Sequence, residues 1–330
     1  MEYRRLGKAG LKVSALSFGS WVTFGNQMDV DKAAACMAAV YDAGVNFFDN
    51  AEVYASGLSE TVMGKALKQL NWRRDSYIIS SKVMFGSQSD PTPTQRGLSR
   101  KHVVEACDQA LERLQVEYLD LYFCHRPDPE VPIEEVVRAM TELILRGKVF
   151  YWGTSEWSAA EIMEAYSVAR EYHLIPPTME QPEYHLFHRR RVEKEYQRPY
   201  AVAGLGTTIF SPLGAGLLSG RYNEGIPDDS RVNLPGYEWL KNRLMSENGQ
   251  RQLTAVREIA KLATEIGTTM PRLAIAWCLK NPHVSTVITG ASRVEQVTEN
   301  MAAIDVVPLL TDEVMKKIDS IITDNNAAID

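Results

Sequence analysis

The stretch Val45–Tyr54, VNFFDNAEVY, sets the pattern that most of the chain repeats. Its start is apolar and aromatic and predicts a short buried strand. Asp49 and Tyr54 come next, and the segment Ser59–Leu70 behind them has the spacing of an amphipathic helix. Taken alone, Asp49 could simply cap that helix and Tyr54 could pack in a loop. The stretch therefore predicts one βα unit and leaves the role of its two ionisable side chains open.

Strands and helices of this kind alternate along the sequence. The predicted strands are Ala15–Phe18, Val45–Phe48, Tyr77–Ser80, Leu119–Phe123, Val149–Trp152, Thr178–Glu180, Thr207–Phe210 and Thr286–Ile288. The predicted helices are Asp31–Asp42, Ser59–Leu70, one beginning at Ser99, Ile133–Leu145, one beginning at Ser158, Glu193–Ala203, Gln252–Ile266, one with Pro271 in its first turn, and one that opens at Gly290–Arg293. A strand followed by a helix, eight times over, predicts an α/β fold with a parallel sheet closed as a (β/α)8 TIM barrel.

Three features refine this fold prediction. The segment Tyr3–Val13 has the pattern of a short β-hairpin that precedes the barrel, and Pro212–Asn248 is a long loop after the seventh strand. The alternative is a doubly wound open sheet, but no GxGxxG follows the first strand, where Gly19–Trp21 stands instead. No linker divides the chain, so residues 1–330 are predicted to form one barrel domain.

Composition narrows the possible partners and location. The chain of 330 residues is 45% hydrophobic with a formal net charge of −6, which argues against nucleic acid or an anionic membrane as main partner. Its four cysteines lie far apart without a CxxC pair, as is typical of buried free thiols in a reducing compartment. No secretory leader and no run of 18 apolar residues is found, so a cytoplasmic protein is expected.

Reactive side chains follow three consecutive predicted strands. Asp49 and Tyr54 follow the second strand, Lys82 the third and His125 the fourth. Singly, each has an ordinary explanation as a cap, a packed aromatic, a surface charge or a polar core residue. A barrel, however, places all of these strand ends at one face, where catalytic sites are usually built. Because Lys is rarely buried without a carboxylate, Asp49 is the expected partner of Lys82.

These four residues suit the reduction of a carbonyl group. A nearby ammonium is expected to lower the pKa of Tyr54 and make it a general acid for an oxygen that gains charge. His125 could orient and polarise the carbonyl. No side chain can supply the hydride, so a nicotinamide or flavin cofactor is required, and no metal site is expected.

A phosphate site for such a cofactor is predicted after the last two strands. The segment Gly290–Arg293 opens a helix that carries Gln296, Glu299 and Asn300, and helix N-termini bind phosphate. The segment Ser211–Gly216 allows close backbone approach. The long loop contributes Arg221 and Arg231, although each of them, taken separately, could be an ordinary charge on a solvated loop.

The chain resembles the aldo-keto reductases, and within that superfamily it is similar to the β-subunits of voltage-gated potassium channels. The resemblance extends from Tyr3 to Ile322. It is carried by Trp21–Gly25, Asp49–Tyr54, Gly97–His102, Arg126–Pro129, Tyr151–Ser155, Glu161–Tyr166, Ala274–Leu279 and Gly290–Ser292.

The resemblance implies a barrel that binds NADP(H), with Asp49, Lys82 and His125 assisting Tyr54 as proton donor. It implies that the nicotinamide is surrounded by Trp21, Ser155 and Gln181. It places the pyrophosphate and its covering loop against Ser211, Leu213, Gly216, Arg221 and Arg231. It assigns the adenosine end to Gly290, Ser292, Gln296, Glu299 and Asn300, and the 2′-phosphate contact favours NADP over NAD.

This chain differs from the potassium channel β-subunits at several positions, and these differences bear on which of two functions is expected. Those subunits carry Asn where this chain has His125, Arg where it has Glu156, and Lys where it has Arg221. They also carry an N-terminal extension in some members, which is expected to be absent here. The first function is an NADPH-dependent reductase of aldehydes and ketones. The second is a redox-sensing regulatory subunit of a membrane channel or transporter with little turnover. A homo-oligomer of the tetramer type is implied for either, and no membrane insertion is expected.

Overall fold

The computed structural model of the chain describes residues 1–227, 230–233, 236 and 238–328. The strands are β1 Tyr3–Arg5, β2 Lys12–Ser14, β3 Leu16–Gly19, β4 Phe47–Asp49, β5 Ile78–Val83, β6 Leu119–Cys124, β7 Val149–Ser155, β8 Met179–Gln181, β9 Gly206–Ile209 and β10 Val284–Thr289. Strands β3 to β10 form a closed barrel in the order β10-β3-β4-β5-β6-β7-β8-β9. Every neighbouring pair in it is parallel.

The predicted (β/α)8 barrel is thus confirmed, and all eight predicted strands are present with small shifts of their ends. The open-sheet alternative is wrong because β10 pairs with β3 and closes the circle. The hairpin is confirmed as the antiparallel pair β1 and β2.

The hairpin contributes to the apolar core of the barrel. That core contains Leu6, Val13, Phe47, Ile78, Leu121, Phe123, Met179 and Ile288. Gly7 lies between the hairpin strands with φ +56°, and a Cβ there would lie 2.3 Å from the carbonyl oxygen of Gly204. Only glycine therefore lets the hairpin approach the chain before β9 this closely.

The helices are α1 Val30–Asp42, α2 Leu58–Leu70, α3 Arg100–Leu114, α4 Ile133–Leu145, α5 Ala159–Glu171, α6 Glu238–Met245, α7 Glu247–Glu265, α8 Met270–Lys280, α9 Val294–Met301 and α10 Asp312–Asp324. The side chains of Ser99 and Ser158 accept from backbone N–H groups at the starts of α3 and α5, as predicted. No helix in the described part of the chain is long and apolar enough to cross a membrane.

One helix prediction is wrong, and further helical segments were not predicted. The segment Glu193–Ala203 is not an α-helix but two short π-helical pieces, Arg191–Glu195 and Pro199–Ala203, because Pro199 has no N–H to continue an α-helical ladder. The long loop after the seventh strand contains a 3-10 turn, Gly214–Ser219, and helix α6. Helix α10, which Thr311 caps, was not predicted.

The chain divides into two compact units. The first comprises Met1–Pro182, Glu195–Ile209 and His283–Thr298, and it contains the hairpin and all strands of the barrel. The second comprises Glu183–Lys194, Phe210–Pro282 and the chain from Glu299 onward, and it contains α6, α7, α8 and α10. That residues 1–330 act as one domain stays a prediction.

Candidate active site

Four polar side chains lie together at the carboxyl ends of three consecutive barrel strands. Asp49 is the last residue of β4, Lys82 is next to last in β5, and His125 directly follows β6. Tyr54 begins a short 3-10 turn after β4. Because the strands are parallel, with Lys82 opposite Phe123, their ends meet at one face of the barrel.

Lys82 lies at the centre of this cluster and is fully buried. Its Nζ donates to Asp49 Oδ2 at 2.7 Å, to the Asn50 carbonyl at 2.7 Å and to Tyr54 Oη at 3.1 Å. Burial alone would lower the pKa of Lys82, but the negative charge of Asp49 and the Tyr54 oxygen outweigh it, and the pKa is raised. Lys82 is therefore an ammonium ion whose three N–H bonds all have acceptors.

Asp49 is held in place by donors on both of its oxygens. While Oδ2 accepts from Lys82, Oδ1 accepts from Ser80 Oγ at 2.8 Å and from Gln181 Nε2 at 3.1 Å. These donors compensate the buried carboxylate and fix the direction in which it presents charge to Lys82.

Tyr54 has a raised pKa, contrary to the expectation from sequence. Burial raises the pKa of Tyr54 more than the ammonium of Lys82 lowers it, and the charge of Asp49 also raises it. The expectation from sequence considered the charge of Lys82 alone, whereas the loss of water around the buried phenol has the larger effect on the pKa of Tyr54. Tyr54 consequently keeps its proton at neutral pH, while the adjacent Lys82 stabilises the phenolate that proton donation would leave.

His125 completes the cluster as a buried neutral imidazole. Its ring lies edge-on to Tyr54 and to Phe85, with centroids 5.8 Å and 5.3 Å away. Burial lowers the pKa of His125 well below its ordinary value, and the charges of Lys82 and Arg126 lower it further. No described residue pairs with its buried Nδ1. The ring can therefore donate one hydrogen bond without carrying charge.

Two predicted cofactor residues belong to the same hydrogen-bonded network. Gln181 ends β8 and donates to Asp49, and its own carbonyl accepts from Ser155 Oγ at 2.8 Å. Arg126 in turn donates to Ser155 Oγ at 3.1 Å. Trp21 follows β3 at the same end of the barrel and is 42% exposed, which is unusual for a large aromatic side chain.

The predicted residues around the start of α9 form a small cap. The backbone N–H of Ser292 donates to Gln296 Oε1 at 2.8 Å, and its hydroxyl donates to the same oxygen at 3.2 Å. A Cβ at Gly290 would meet nothing closer than 4.0 Å, so the strand end is open on that side. Both donors are occupied by Gln296, so Ser292 can bind a phosphate, as helix N-termini do, only when the Gln296 side chain turns away.

In the second unit, the predicted loop residues Ser211, Leu213 and Gly216 lie in or next to the turn Gly214–Ser219. Leu213 has φ −98° and Gly214 φ +54°, opposite signs of the kind found in anion-binding concavities, and the N–H of Gly214 donates to the Ser211 carbonyl at 2.8 Å. Arg221 follows this turn; the side chain of Arg231 lies outside the part of the chain that the structure describes.

The second unit also contains the last two predicted cofactor residues. The carboxylate of Glu299 accepts from Thr269 Oγ1 and from Arg272 Nη2, both at 2.6 Å. Asn300 is buried at the end of α9. Thr269 and Arg272 thus fix the orientation of the Glu299 carboxylate.

Sequence reasoning did not single out Ser80, Arg126 or Glu52, which all contact this region. Ser80 lies two residues before Lys82 in β5 and shares its face, so strand alternation could have indicated it. Glu52 is buried although it follows a strand in a polar segment, and no sequence signal shows this.

The cluster can move one proton to an oxygen that gains negative charge. Tyr54 Oη carries the proton, Lys82 stabilises the phenolate left behind, and neutral His125 can donate a hydrogen bond to the same oxygen. Among the described residues no group of three His, Cys, Asp or Glu side chains could hold a metal ion.

Comparison with known proteins identifies the family of the chain. The family described as "Aldo/keto reductase family" matches residues 15–323. A protein of Oryza sativa subsp. japonica named "Probable voltage-gated potassium channel subunit beta" is 51% identical over 323 residues, covering 98% of this chain and 97% of the relative.

Proposed function

This chain belongs to the aldo/keto reductase family, and from that premise we propose that it reduces aldehydes and ketones to alcohols with NADPH. The observation that carries the proposal is the series of contacts from Asp49 through Lys82 to Tyr54, at 2.7 Å and 3.1 Å. A buried ammonium with a fixed carboxylate and a phenol is suited to proton donation in carbonyl reduction.

In the proposed reaction the carbonyl oxygen lies between Tyr54 Oη and the ring of His125. As the carbonyl carbon takes a hydride, Tyr54 gives its proton to the oxygen and is left as a phenolate beside Lys82. Asp49 keeps Lys82 oriented throughout and does not itself transfer a proton. NADPH, when bound, supplies the hydride, which no side chain can provide.

The residues present fit such a cofactor. The strand end at Gly290 is open, and Ser292 at the start of α9 can donate to phosphate once Gln296 turns away. The segment Ser211–Gly216 brings backbone close to such a group at Gly214 and Gly216. We assign the nicotinamide to Trp21, Ser155 and Gln181, and the pyrophosphate to Ser211, Leu213, Gly216, Arg221 and Arg231. We assign the adenosine end to Gly290, Ser292, Gln296, Glu299 and Asn300.

The test is steady-state oxidation of NADPH across a panel of aldehydes and ketones, followed by loss of the reduced cofactor's near-ultraviolet absorbance. We expect turnover on several carbonyls and slower turnover with NADH. A purified protein that keeps a tightly bound nucleotide but turns over none of the panel would contradict the reductase proposal.

The second candidate is a redox-sensing regulatory subunit of a channel or transporter. It is favoured by the 51% identity to the rice protein named as a probable channel β-subunit. Nucleotide binding without turnover, together with co-purification of a membrane channel, would support it. The neutral imidazole of His125 beside Tyr54 favours the reductase, because it supplies a second donor to the reacting oxygen.

We further propose a cytoplasmic homo-oligomer of the tetramer type. All four cysteines are free and buried, which fits a reducing compartment. Light scattering on the purified protein measures the assembly directly, and a monomer at micromolar concentration would contradict it.

A further inference from the structure

Glu52, which lies between Asp49 and Tyr54, is a buried carboxylate that contacts the segment after β5. Its Oε1 accepts from the backbone N–H of Met84 at 2.8 Å and of Gly86 at 2.9 Å. Its own N–H donates to the carbonyl of Lys82 at 3.2 Å. One residue thus ties the Tyr54 segment to three alternate positions of the chain that leaves β5.

The second oxygen of Glu52 contacts the other end of the same loop through His102. His102 Nε2 lies 3.4 Å from Glu52 Oε2, and His102 Nδ1 lies 2.8 Å from the carbonyl oxygen of Gly97. Both ring nitrogens face acceptors, and both contacts are hydrogen bonds only when the ring is protonated. The N–H of Gly97 donates to the carbonyl of Met84 at 2.7 Å and closes the neck of the loop.

Phe85 stands between the two N–H groups that Glu52 holds. Its side chain is 42% exposed, so it does not belong to the hydrophobic core, yet its ring lies edge-on to His125 with centroids 5.3 Å apart. Ser87, one residue past Gly86, accepts from Arg113 at 3.2 Å. The backbone on each side of Phe85 is therefore fixed by buried charged groups, while its ring is left facing the space beside His125.

We infer that Glu52 is a positioning residue, which holds the Met84–Gly86 backbone so that Phe85 forms a rigid aromatic wall beside His125 for flat aromatic carbonyl substrates. The inference rests on the proposed function, since it places the substrate on that side of His125. Glu52 does not touch the reacting atoms and acts through Phe85.

The matched control is Asp120, a second buried carboxylate on the same strands. It accepts from the backbone N–H of Ile79 at 2.8 Å and from Arg74 at 2.6 Å, at the amino end of β5 and β6. Like Glu52, Asp120 accepts from a backbone N–H and contacts a basic side chain, but its partners lie at the amino end of β5 and not beside Phe85.

The kinetic experiment compares benzaldehyde with propionaldehyde. In Glu52→Ala we expect KM for benzaldehyde to rise about 10-fold with kcat changed less than about 3-fold, and KM for propionaldehyde to stay near the parent value. Phe85→Ala should do the same, and the double variant should be no worse than Phe85→Ala. Asp120→Ala should lose stability and keep both KM values.

Glu52→Gln should restore the parent KM. Its amide oxygen can accept from Met84 and Gly86, while its NH2 group can donate to a neutral His102. If Glu52→Ala does not fold, Glu52→Asp, which is shorter by one methylene, gives the same readouts. Additive effects of the Glu52 and Phe85 substitutions, or an unchanged KM, would overturn the inference.

Amide hydrogen exchange tests the contact without turnover. We expect the N–H groups of Met84 and Gly86 to exchange about 100-fold faster in Glu52→Ala than in the parent, and at the parent rate in Asp120→Ala. If the parent reduces no carbonyl, the proposed function fails and exchange alone still decides the Glu52 contact. If the parent is active and exchange is unchanged in Glu52→Ala, only the inference fails.

Discussion

Two ion pairs lie at opposite ends of strand β5, one fully buried and the other partly exposed to water. At the carboxyl end, Lys82 contacts Asp49 at 2.7 Å, with the two side chains 0% and 4% exposed. At the amino end, Arg74 contacts Asp120 at 2.6 Å, with the side chains 23% and 12% exposed. The two pairs have similar geometry, and their difference lies in what surrounds them.

The pair at the amino end is surrounded by backbone and aromatic rings. Arg74 donates to the carbonyls of Tyr77 and Tyr118 at 3.0 Å and 2.8 Å, and its guanidinium lies over both of their rings. Asp120 accepts from the N–H of Ile79. These contacts join the starts of β5 and β6, and backbone groups of this kind are too weakly acidic to donate a proton in catalysis. The pair is structural.

The pair at the carboxyl end has a third partner that can give up a proton. Lys82 also contacts the hydroxyl of Tyr54, and the neutral ring of His125 lies edge-on to the Tyr54 ring. A buried ion pair is costly to form in either place. Whether such a pair can take part in proton transfer depends on its further partners. For Arg74 these are backbone carbonyls, and for Lys82 one of them is the hydroxyl of Tyr54.

The largest difference between the two ends should appear on removing one hydroxyl. Tyr54→Phe should lower kcat for carbonyl reduction by about 1,000-fold, because the proton donor is lost, and leave NADPH affinity nearly unchanged. Cofactor oxidation and fluorescence titration measure the two quantities. The control at the amino end is Tyr118→Phe, which keeps the ring over Arg74 and should keep full activity. Equal rates in Tyr54→Phe and the parent would refute the proton-donor assignment.

Removing the cation at the carboxyl end should affect stability and activity together. Lys82→Met leaves Asp49 buried without its cation and should lower the free energy of unfolding by about 4 kcal/mol. Carbonyl reduction should fall as well, because the phenolate of Tyr54 loses its stabilising charge. Denaturant unfolding and cofactor oxidation are the measurements. A stable Lys82→Met protein with parental turnover would show that the pair is not needed.

Removing the cation at the amino end should affect stability alone. Arg74→Met should lower the free energy of unfolding by about 2 kcal/mol, less than Lys82→Met, because water reaches the Arg74–Asp120 pair. Turnover by the folded protein should equal that of the parent. A selective loss of turnover in Arg74→Met would contradict the separation between the two ends.

The smallest effect should come from pH, through His102 at the carboxyl end. Burial lowers the pKa of His102, but the hydrogen bond and charge of Glu52, helped by Gly97 and Glu105, outweigh it and the pKa is raised. A group whose pKa is raised on folding contributes its full stabilisation at pH values below its pKa in the unfolded state, about 6.5. This stabilisation is lost as the pH rises through the pKa of the group in the folded state. The free energy of unfolding of the parent should therefore fall as the pH rises from about 6.5 through the pKa of His102 in the folded protein.

The matched variant for this pH effect is Glu52→Gln, which removes the negative charge that raises the pKa of His102. Denaturant unfolding of the two proteins across the same pH series gives the difference directly. Parallel curves for the parent and Glu52→Gln would show that His102 does not titrate with folding.

The sequence was sufficient for the barrel because its signals are local. Apolar runs such as Phe47–Phe48 mark buried strands, and caps such as Ser99 and Ser158 mark helix starts within a few positions. Where the local signal was mixed the prediction was wrong, as at Glu193–Ala203, where Pro199 interrupts a helical pattern. Helix α10 has a usable signal in Thr311, which caps it.

The sequence by itself determined the order of the strands along the chain and the ionisable residues at the ends of three of them, Asp49, Lys82 and His125, because both depend on the pattern of neighbouring residues. Only the tertiary structure decided the pKa direction of Tyr54 and the burial of Glu52. Both depend on how much water is excluded by residues distant in the chain, and Met84 and Gly86 bond Glu52 only after β5 has joined the barrel. Desolvation and backbone partners of this kind belong to the folded protein and have no local pattern.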